Sequence, residues 1–268
     1  MKKLIAGPWV GEFGWELFAW SAYIRALSRN FDHTTIISRK NSKAIYDDFA
    51  DEYISHDVSV GLADSFFMHG FDFKKGIKEV IQGSSIMLEQ GTTLFPPRRI
   101  GMPPETHYTQ PVVFGKHIIK PEYIRYGNSS DRECEYVFHI RNRSLRKEDN
   151  WDLDKWNKLR DLLGEGRIGC IGTKKEASWI PGTIDLRDVG LGRLMTILRN
   201  SHCAFGPSSG PMHLASLCGT PHVVWSIERN RRRFQENWNP LRTKVLFDSE
   251  FEWHPTAEHI HDKYMEWK

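Results

Sequence analysis

What this chain lacks narrows its class first. It has no run of about 18 apolar residues, so no membrane-spanning helix is expected. It has no Cys-x-x-Cys pair. Cys134, Cys170, Cys203 and Cys218 stand far apart, the pattern of buried thiols in a reducing cytoplasm rather than of a disulfide framework. Charge of one sign is scarce as well: the formal net charge of +3 is too small to imply nucleic acid by itself. No internal repeat and no low-complexity segment occurs. The opening Met1-Lys-Lys-Leu-Ile-Ala-Gly7 has two lysines but too short an apolar run for a signal peptide, so a cytoplasmic location is expected.

What is present describes a soluble α/β protein. The 268 residues, 40% hydrophobic and 26% charged, suffice for one or two domains with full cores. Lys3 to Ala6 reads as a strand that runs into Gly7-Pro-Trp-Val-Gly-Glu-Phe-Gly14, a glycine-rich loop. A helix follows from Trp15 to Arg29, with Leu17, Trp20, Ile24 and Leu27 at helical spacing as its buried stripe. His33 to Ser38 is a second strand and Lys40 to Phe49 a second helix. This β–loop–α–β opening implies a parallel sheet with helices on its faces. From Gly61 to Asp131 the pattern weakens: Pro96-Pro97 and Pro103-Pro104 mark an irregular loop carrying Arg98 and Arg99, and Val112 to Phe114 reads as a strand. Gly127-Asn-Ser-Ser-Asp131 is the best linker signal. It divides the chain into domains 1–125 and 126–268.

The second half is patterned more clearly. Strands are expected from Glu135 to Ile140, Arg167 to Ile171, Thr183 to Leu186, His202 to Phe205 and His222 to Trp225. Helices are expected from Asp152 to Leu163, around Leu191 to Leu198, and after Gly210. Such a succession is a doubly wound domain, whose ligands lie beyond the carboxyl ends of the strands. Thr256 to Trp267 reads as a final helix that can pack back on the first domain.

Five loops follow strands and should converge on a crevice: 7–16, 141–150, 172–175, 206–210 and 226–233. The first carries two carboxylates, Glu12 and Glu16. An acid placed there can act as a general base when its pKa suits the task. It can equally be a solvated loop acid or, for Glu16, a charge complementing a helix start. The second loop carries Arg141 and Arg143 on one side of a strand end, and arginine's planar fork suits phosphate oxygens. Gly172, Thr173 and Lys174 form a turn that adds positive charge. The basic run Glu228-Arg-Asn-Arg-Arg-Arg233, with Arg231 at its centre, reads as a surface turn, a phosphate clamp or a contact to a polyanionic acceptor. Ten tryptophans, Trp9 among them, suit stacking on sugars or bases as well as packing.

The segment Ser201-His-Cys-Ala-Phe-Gly-Pro-Ser-Ser-Gly-Pro-Met-His213 is the centre of the second domain. It reads as strand, tight small-residue turn and helix start, with Pro211 in the first turn, where no backbone amide is needed. The unpaired amides of that turn favour an anion beside Ser208, Ser209 and Gly210. Gly206-Pro-Ser-Ser-Gly210 also matches Gly-x-Ser-x-Gly, the nucleophile elbow of serine hydrolases. Asp248 and one of His254, His259 or His261 would complete the order, but no clear sheet follows to seat them. His254, Glu258, His259 and His261 are weak support for a metal site, because a single helical tail offers no second ligand group. No protein-bound metal is expected.

The stretch from Asp185-Leu-Arg-Asp through Ser209-Gly-Pro-Met-His-Leu-Ala215 to Gly219-Thr-Pro221 resembles the donor-binding segment of the ADP-heptose–lipopolysaccharide heptosyltransferases, glycosyltransferase family 9. Gly11-Glu-Phe…Leu17-Phe-Ala19 is more faintly similar to that family's Gly-Asp-x-x-x-x-Leu-Pro-Ala. The resemblance implies a GT-B-like α/β fold, two Rossmann-like doubly wound domains facing a central cleft. It implies an inverting transfer of a sugar from a nucleotide diphosphate sugar to a hydroxyl of a glycan or lipid-linked saccharide, with no further cofactor. Glu12 takes the place of the family's aspartate base, with Glu16 in reserve. Ser209, Gly210 and His213, beside Ser208 and Met212, hold the nucleotide diphosphate with Arg141 and its neighbours. His139-x-Arg141 is also similar to the His-x-Arg of GDP-fucose-type GT-B enzymes, where the arginine meets the β-phosphate. The first domain would then hold the acceptor, with Trp9, Arg98 and Arg99 contributing and Arg231 reaching from the second. Ser208 stands where the family usually has Asp, and Lys147-Glu-Asp-Asn-Trp151 replaces its Lys-Arg-Trp-Pro-like signature, so heptose itself is not carried over. The alternatives are a DNA glycosyltransferase acting on a hydroxymethylated base, a serine hydrolase using Ser208, and a non-catalytic nucleotide-binding module.

Overall fold

The computed structural model describes residues 1–9, 13–56, 92–95, 112–114, 117–144 and 146–268. The chain divides into two compact units, Met1–Glu122 and Tyr123–Lys268.

The first unit is built on a parallel sheet of β1 (Lys3–Ala6), β2 (His33–Arg39), β3 (Glu52–His56) and β4 (Thr92–Phe95), in the order β3-β2-β1-β4. Between β1 and β2 runs helix α1, which starts at Phe13–Trp15, widens to a π-helical stretch at Glu16–Ser21 and ends as Ala22–Ser28. Its stripe of Leu17, Trp20, Ile24 and Leu27 is fully buried, as the 3.6-residue period requires. The helix expected after β2 is instead a 3-10 segment, Lys40–Ile45. Arg25 of α1 stops it there: Nη2 donates to the Ile45 carbonyl at 3.0 Å, and the guanidinium also binds both oxygens of Asp48. An acceptor that a longer helix would need is thereby taken. Val112–Phe114 forms β5 and pairs antiparallel with β6 (His117–Ile119).

The second unit holds six parallel strands in the order β12-β11-β10-β7-β8-β9. They are β7 (Tyr136–Phe138), β8 (Ile168–Gly172), β9 (Ile184–Arg187), β10 (Cys203–Pro207), β11 (His222–Trp225) and β12 (Val245–Asp248). Helices α2 (Leu153–Leu163), α3 (Leu191–Asn200), α4 (Gly210–Cys218) and α5 (Ala257–Trp267) complete it. From Met212 to Cys218 α4 is buried on every side, as its nearly all-apolar sequence dictates. The final helix α5 belongs to the second unit's own core: Ala257, Ile260 and Tyr264 join Phe138, Trp156 and Phe205. Trp151, Trp156 and Trp225 pack there with ring centroids 4.8–5.3 Å apart, so these three tryptophans serve packing. All four cysteines are unpaired and buried in apolar surroundings.

Candidate functional site

In the second unit the chain winds outward from β7 to β9, returns to β10 and winds the other way to β12. Adjacent strands β7 and β10 therefore mark the point where strand order reverses, the place where an open α/β sheet leaves a crevice at its carboxyl edge. Two segments leave the sheet there side by side, His139–Arg141 and Ser208–Gly210.

His139 is buried, and its backbone amide donates to Phe205 O at 2.9 Å, fixing the ring beside β10. Two glycines make room for it. A Cβ on Gly206 would stand 2.8 Å from Met212 Sδ and 3.2 Å from His139 Cβ. One on Gly172, whose φ of +122° already disfavours a side chain, would stand 2.6 Å from Ala177 Cβ and 3.2 Å from His139 Cδ2. Burial, with the charge of Arg141 second, pushes the imidazole down to about 3, so it is neutral at pH 7. Its Nδ1 shares a 2.8 Å hydrogen bond with Ser209 Oγ.

Arg141 is buried too, and it braces both segments. Nη1 donates to the Ser208 carbonyl at 3.1 Å, Nη2 donates to the Asp149 carbonyl, and the guanidinium lies 4.9 Å from the centre of the Trp253 ring. Asp149 Oδ2 stands 3.8 Å from Nη2 and 3.6 Å from Arg146 Nε, so one carboxylate serves two cations. Burial lowers Arg141 to about 10, which leaves it charged at pH 7. Its Nε is buried with no hydrogen-bond acceptor among the described residues. A buried donor on a charged guanidinium can take an acceptor, and binds an anionic one most strongly.

Ser209 is the N-cap of α4 in extended backbone, yet its hydroxyl is turned to His139 and caps no amide. The first-turn amides of α4 therefore receive no side-chain cap, and Pro211 removes one of them. Met212 is buried under Gly206. His213, expected beside the diphosphate, is buried in an aromatic stack, 3.9 Å from Phe234 and 4.5 Å from Trp238 between ring centroids. Burial first, then Arg233 and His222, holds it neutral, so it brings no charge to a phosphate.

The turn after β8 lies against the Arg141 segment. Arg141 pairs with Ala177 in an isolated antiparallel bridge, and Asn142 N donates to Glu176 O at 2.8 Å. Thr173 and Lys174 are exposed on that turn, which is held by Lys174 N donating to Asp188 Oδ1 at 3.1 Å. Arg143 is half-buried, its backbone clasped on both sides by the Asn150 side-chain amide. A cavity of about 210 Å³ opens beside these groups, bordered by Arg141, Asn142, Asn150, Trp151 and Ser178.

Arg231 takes the surface-turn reading: its guanidinium donates to Glu228 Oε1, Phe247 O and Ser249 Oγ, all within 2.9 Å. In the first unit Trp9 is buried and stacked on Trp20 at 5.6 Å, with its amide donating to Ile37 O. That is a packing position. Glu16 is 0% exposed, and its carboxylate accepts from Ser38 Oγ, Arg39 Nη2, Ser42 Oγ and Tyr46 Oη. It fastens β2 and the 3-10 segment to α1. Glu12, Arg98 and Arg99 lie outside the described residues. For the elbow reading, Asp248 Oδ1 does meet His259 Nε2 at 3.1 Å, but Ser208 lacks the positive φ of a strained turn, and the histidine bonded at the turn is His139, through Ser209.

Trp253 stands in no recognisable pattern and reaches Arg141 from a remote turn, whereas Asp149 lies in the Lys147–Trp151 stretch of the same loop, where nothing in the sequence marks it as the arginine's partner. His139 had a signal in the His-x-Arg pattern.

No family model matches this chain, and no curated protein matches it. Its fold is shared with solved structures. The ADP-heptose lps heptosyltransferase II of E. coli superposes with a TM-score of 0.61 at 13% identity, covering 100% of this chain and 98% of that one. The E. coli heptosyltransferase WaaC, determined with ADP, gives 0.61 at 13% identity and 100% of both chains. A glycosyl transferase family 9 protein from Veillonella parvula gives 0.54 at 13% identity, over 99% of this chain and 89% of that one. The likeness is one of fold: a GT-B-like α/β protein with parallel sheets.

Proposed function

We propose that this protein is a glycosyltransferase that moves a sugar from a nucleotide diphosphate sugar to a hydroxyl of a saccharide or lipid-linked acceptor, with inversion at the transferred carbon. The observation that carries the reading is the joining of Arg141 to Ser208 at the switch point of a fold shared with two heptosyltransferases, one of them captured with ADP. The anion received there is the donor's diphosphate. Its negative charge grows as the sugar–phosphate bond breaks. Arg141 and the uncapped start of α4 are fixed before reaction, so they stabilise that charge without reorganising. In this scheme they do the work that a divalent ion does elsewhere. Ser208, Ser209 and Gly210 let the phosphates approach the backbone, and the turn of Gly172, Thr173 and Lys174 with Arg143 borders the donor.

Glu12 is the proposed base, on the strength of its glycine-rich loop and its match to the family's aspartate. It would take the acceptor proton as the hydroxyl attacks the anomeric carbon. Glu16 is spent on four donors that fasten β2 and the 3-10 segment to α1, and is not proposed as the base. Arg98 and Arg99 remain proposed acceptor contacts.

A thermal-shift screen against UDP, GDP, ADP, CMP and their sugars tests the reading, since a selective ligand raises the melting temperature by mass action. One nucleotide family should stabilise the fold, and its sugar should be consumed when a glycan acceptor is supplied. Stabilisation by none of them would overturn the proposal.

A further inference from the structure

We infer that the second unit carries a binding site for a divalent transition-metal ion, built from Asp248, Glu250 and His259 and separate from the proposed donor site. The inference does not depend on the glycosyltransferase reading. Asp248 ends β12, His259 lies in the first turn of α5, and Glu250 sits on the connection between them. Each offers one ligand atom, and the three atoms lie within 4.8 Å of one another. His259 Nε2 is 3.1 Å from Asp248 Oδ1 and 3.9 Å from Glu250 Oε2. Ligands bound tetrahedrally at about 2.0–2.1 Å from zinc stand about 3.4 Å apart, so these spacings bracket that value.

An independent observation points to a ligand. Asp248 is 5% exposed, and its Oδ2 is buried with no hydrogen-bond donor among the described residues, although Oδ1 is engaged by His259. A buried carboxylate oxygen normally finds a partner, and an ion bound beside Oδ1 would supply one. Two cations compete with a dication there: Lys263 Nζ lies 3.6 Å from Glu250 Oε2, and the Arg231 guanidinium, bonded to Glu228, Phe247 O and Ser249, also feels the charge of Asp248. The imidazole favours a transition ion such as zinc over magnesium, which prefers all-oxygen ligand sets.

The ion would staple the 249–259 connection to the sheet edge. Trp253 rides on that connection and lies over Arg141, and Pro255 O accepts from Trp151 Nε1 at 2.8 Å. The ion would therefore steady the arginine from three strands away, at a spacing of roughly 14 Å.

The test is calorimetric titration of ZnCl2 into the EDTA-treated, dialysed full chain, with a thermal melt at each ratio. One saturable site and a rise in melting temperature are expected. Glu250→Gln alters an exposed side chain and should fold normally by circular dichroism, yet bind zinc at least tenfold more weakly. His259→Gln should do the same, and Lys263→Met should bind more tightly by removing the competing ammonium. No saturable binding, or equal affinity in wild type, Glu250→Gln and His259→Gln, would overturn the inference.

Discussion

His139 Nδ1 and Ser209 Oγ share a 2.8 Å hydrogen bond that ties the segment after β7 to the first residue before α4. Both strand ends at the reversal point are thus fixed by one contact between a buried neutral imidazole and a hydroxyl. Ser209→Ala would leave a buried ring nitrogen without its partner, a loss of about 1–3 kcal/mol. Urea unfolding should show that loss, with nucleotide affinity reduced alongside. Unaltered stability would mean that the contact does not fix the site.

The two acidic candidates near the first glycine-rich loop separate by experiment. Glu16→Gln removes the charge facing Arg39 and unbalances four hydrogen bonds, so roughly 2–4 kcal/mol of stability should be lost. Glu12→Gln should leave stability and donor binding near wild type while abolishing turnover. Full turnover in the Glu12 variant would refute its assignment as base.

Three buried histidines make stability depend on pH. Burial depresses His139 to about 3, His222 to about 4 and His213 well below its ordinary value. Above the unfolded value of about 6.5 neither state binds these protons, and the stability is fully present. As pH falls below it, the unfolded chain takes up protons that the folded chain refuses. Each histidine then costs about 1.4 kcal/mol per pH unit until its folded pKa is reached. Denaturation at pH 6 and pH 5 should differ by roughly 3–4 kcal/mol from this source. Equal stability at the two values would contradict the burial of these rings.

Gly206→Ala should be costly out of proportion to one methyl group, because the new Cβ meets Met212 and His139 at once. Overpacking of this kind costs typically about 1–3 kcal/mol. A lower melting temperature with weakened nucleotide binding is expected. A variant that melts and binds like wild type would show that the ring has room to move.

Much of the second unit was legible because its strands are short apolar runs between turn residues, and its central helix is bracketed by Pro211 and Gly219. The turn at Ser208–Gly210 and the arginine after β7 followed from the same pattern. β12 was not foreseen: Val245-Leu246-Phe247 is a brief edge run whose strand character comes from pairing with β11. The segment after β2 has helical composition, but Arg25 from another helix captures its carbonyl and ends it. His213 looked like a ligand for phosphate because it stands in the right motif. Its burial against Phe234 and Trp238 depends on a distant loop that no spacing reveals. The fastening of Arg141 by Trp253 is hidden for the same reason.

The most direct measurement of the central claim is calorimetric titration of UDP, GDP and ADP into the wild-type chain and into Arg141→Ala. The account predicts that one of the three binds wild type at a single site, and that the variant, folded by circular dichroism, loses at least tenfold in affinity for it. No binding of any nucleotide by wild type, or equal affinity in the variant, would contradict the account.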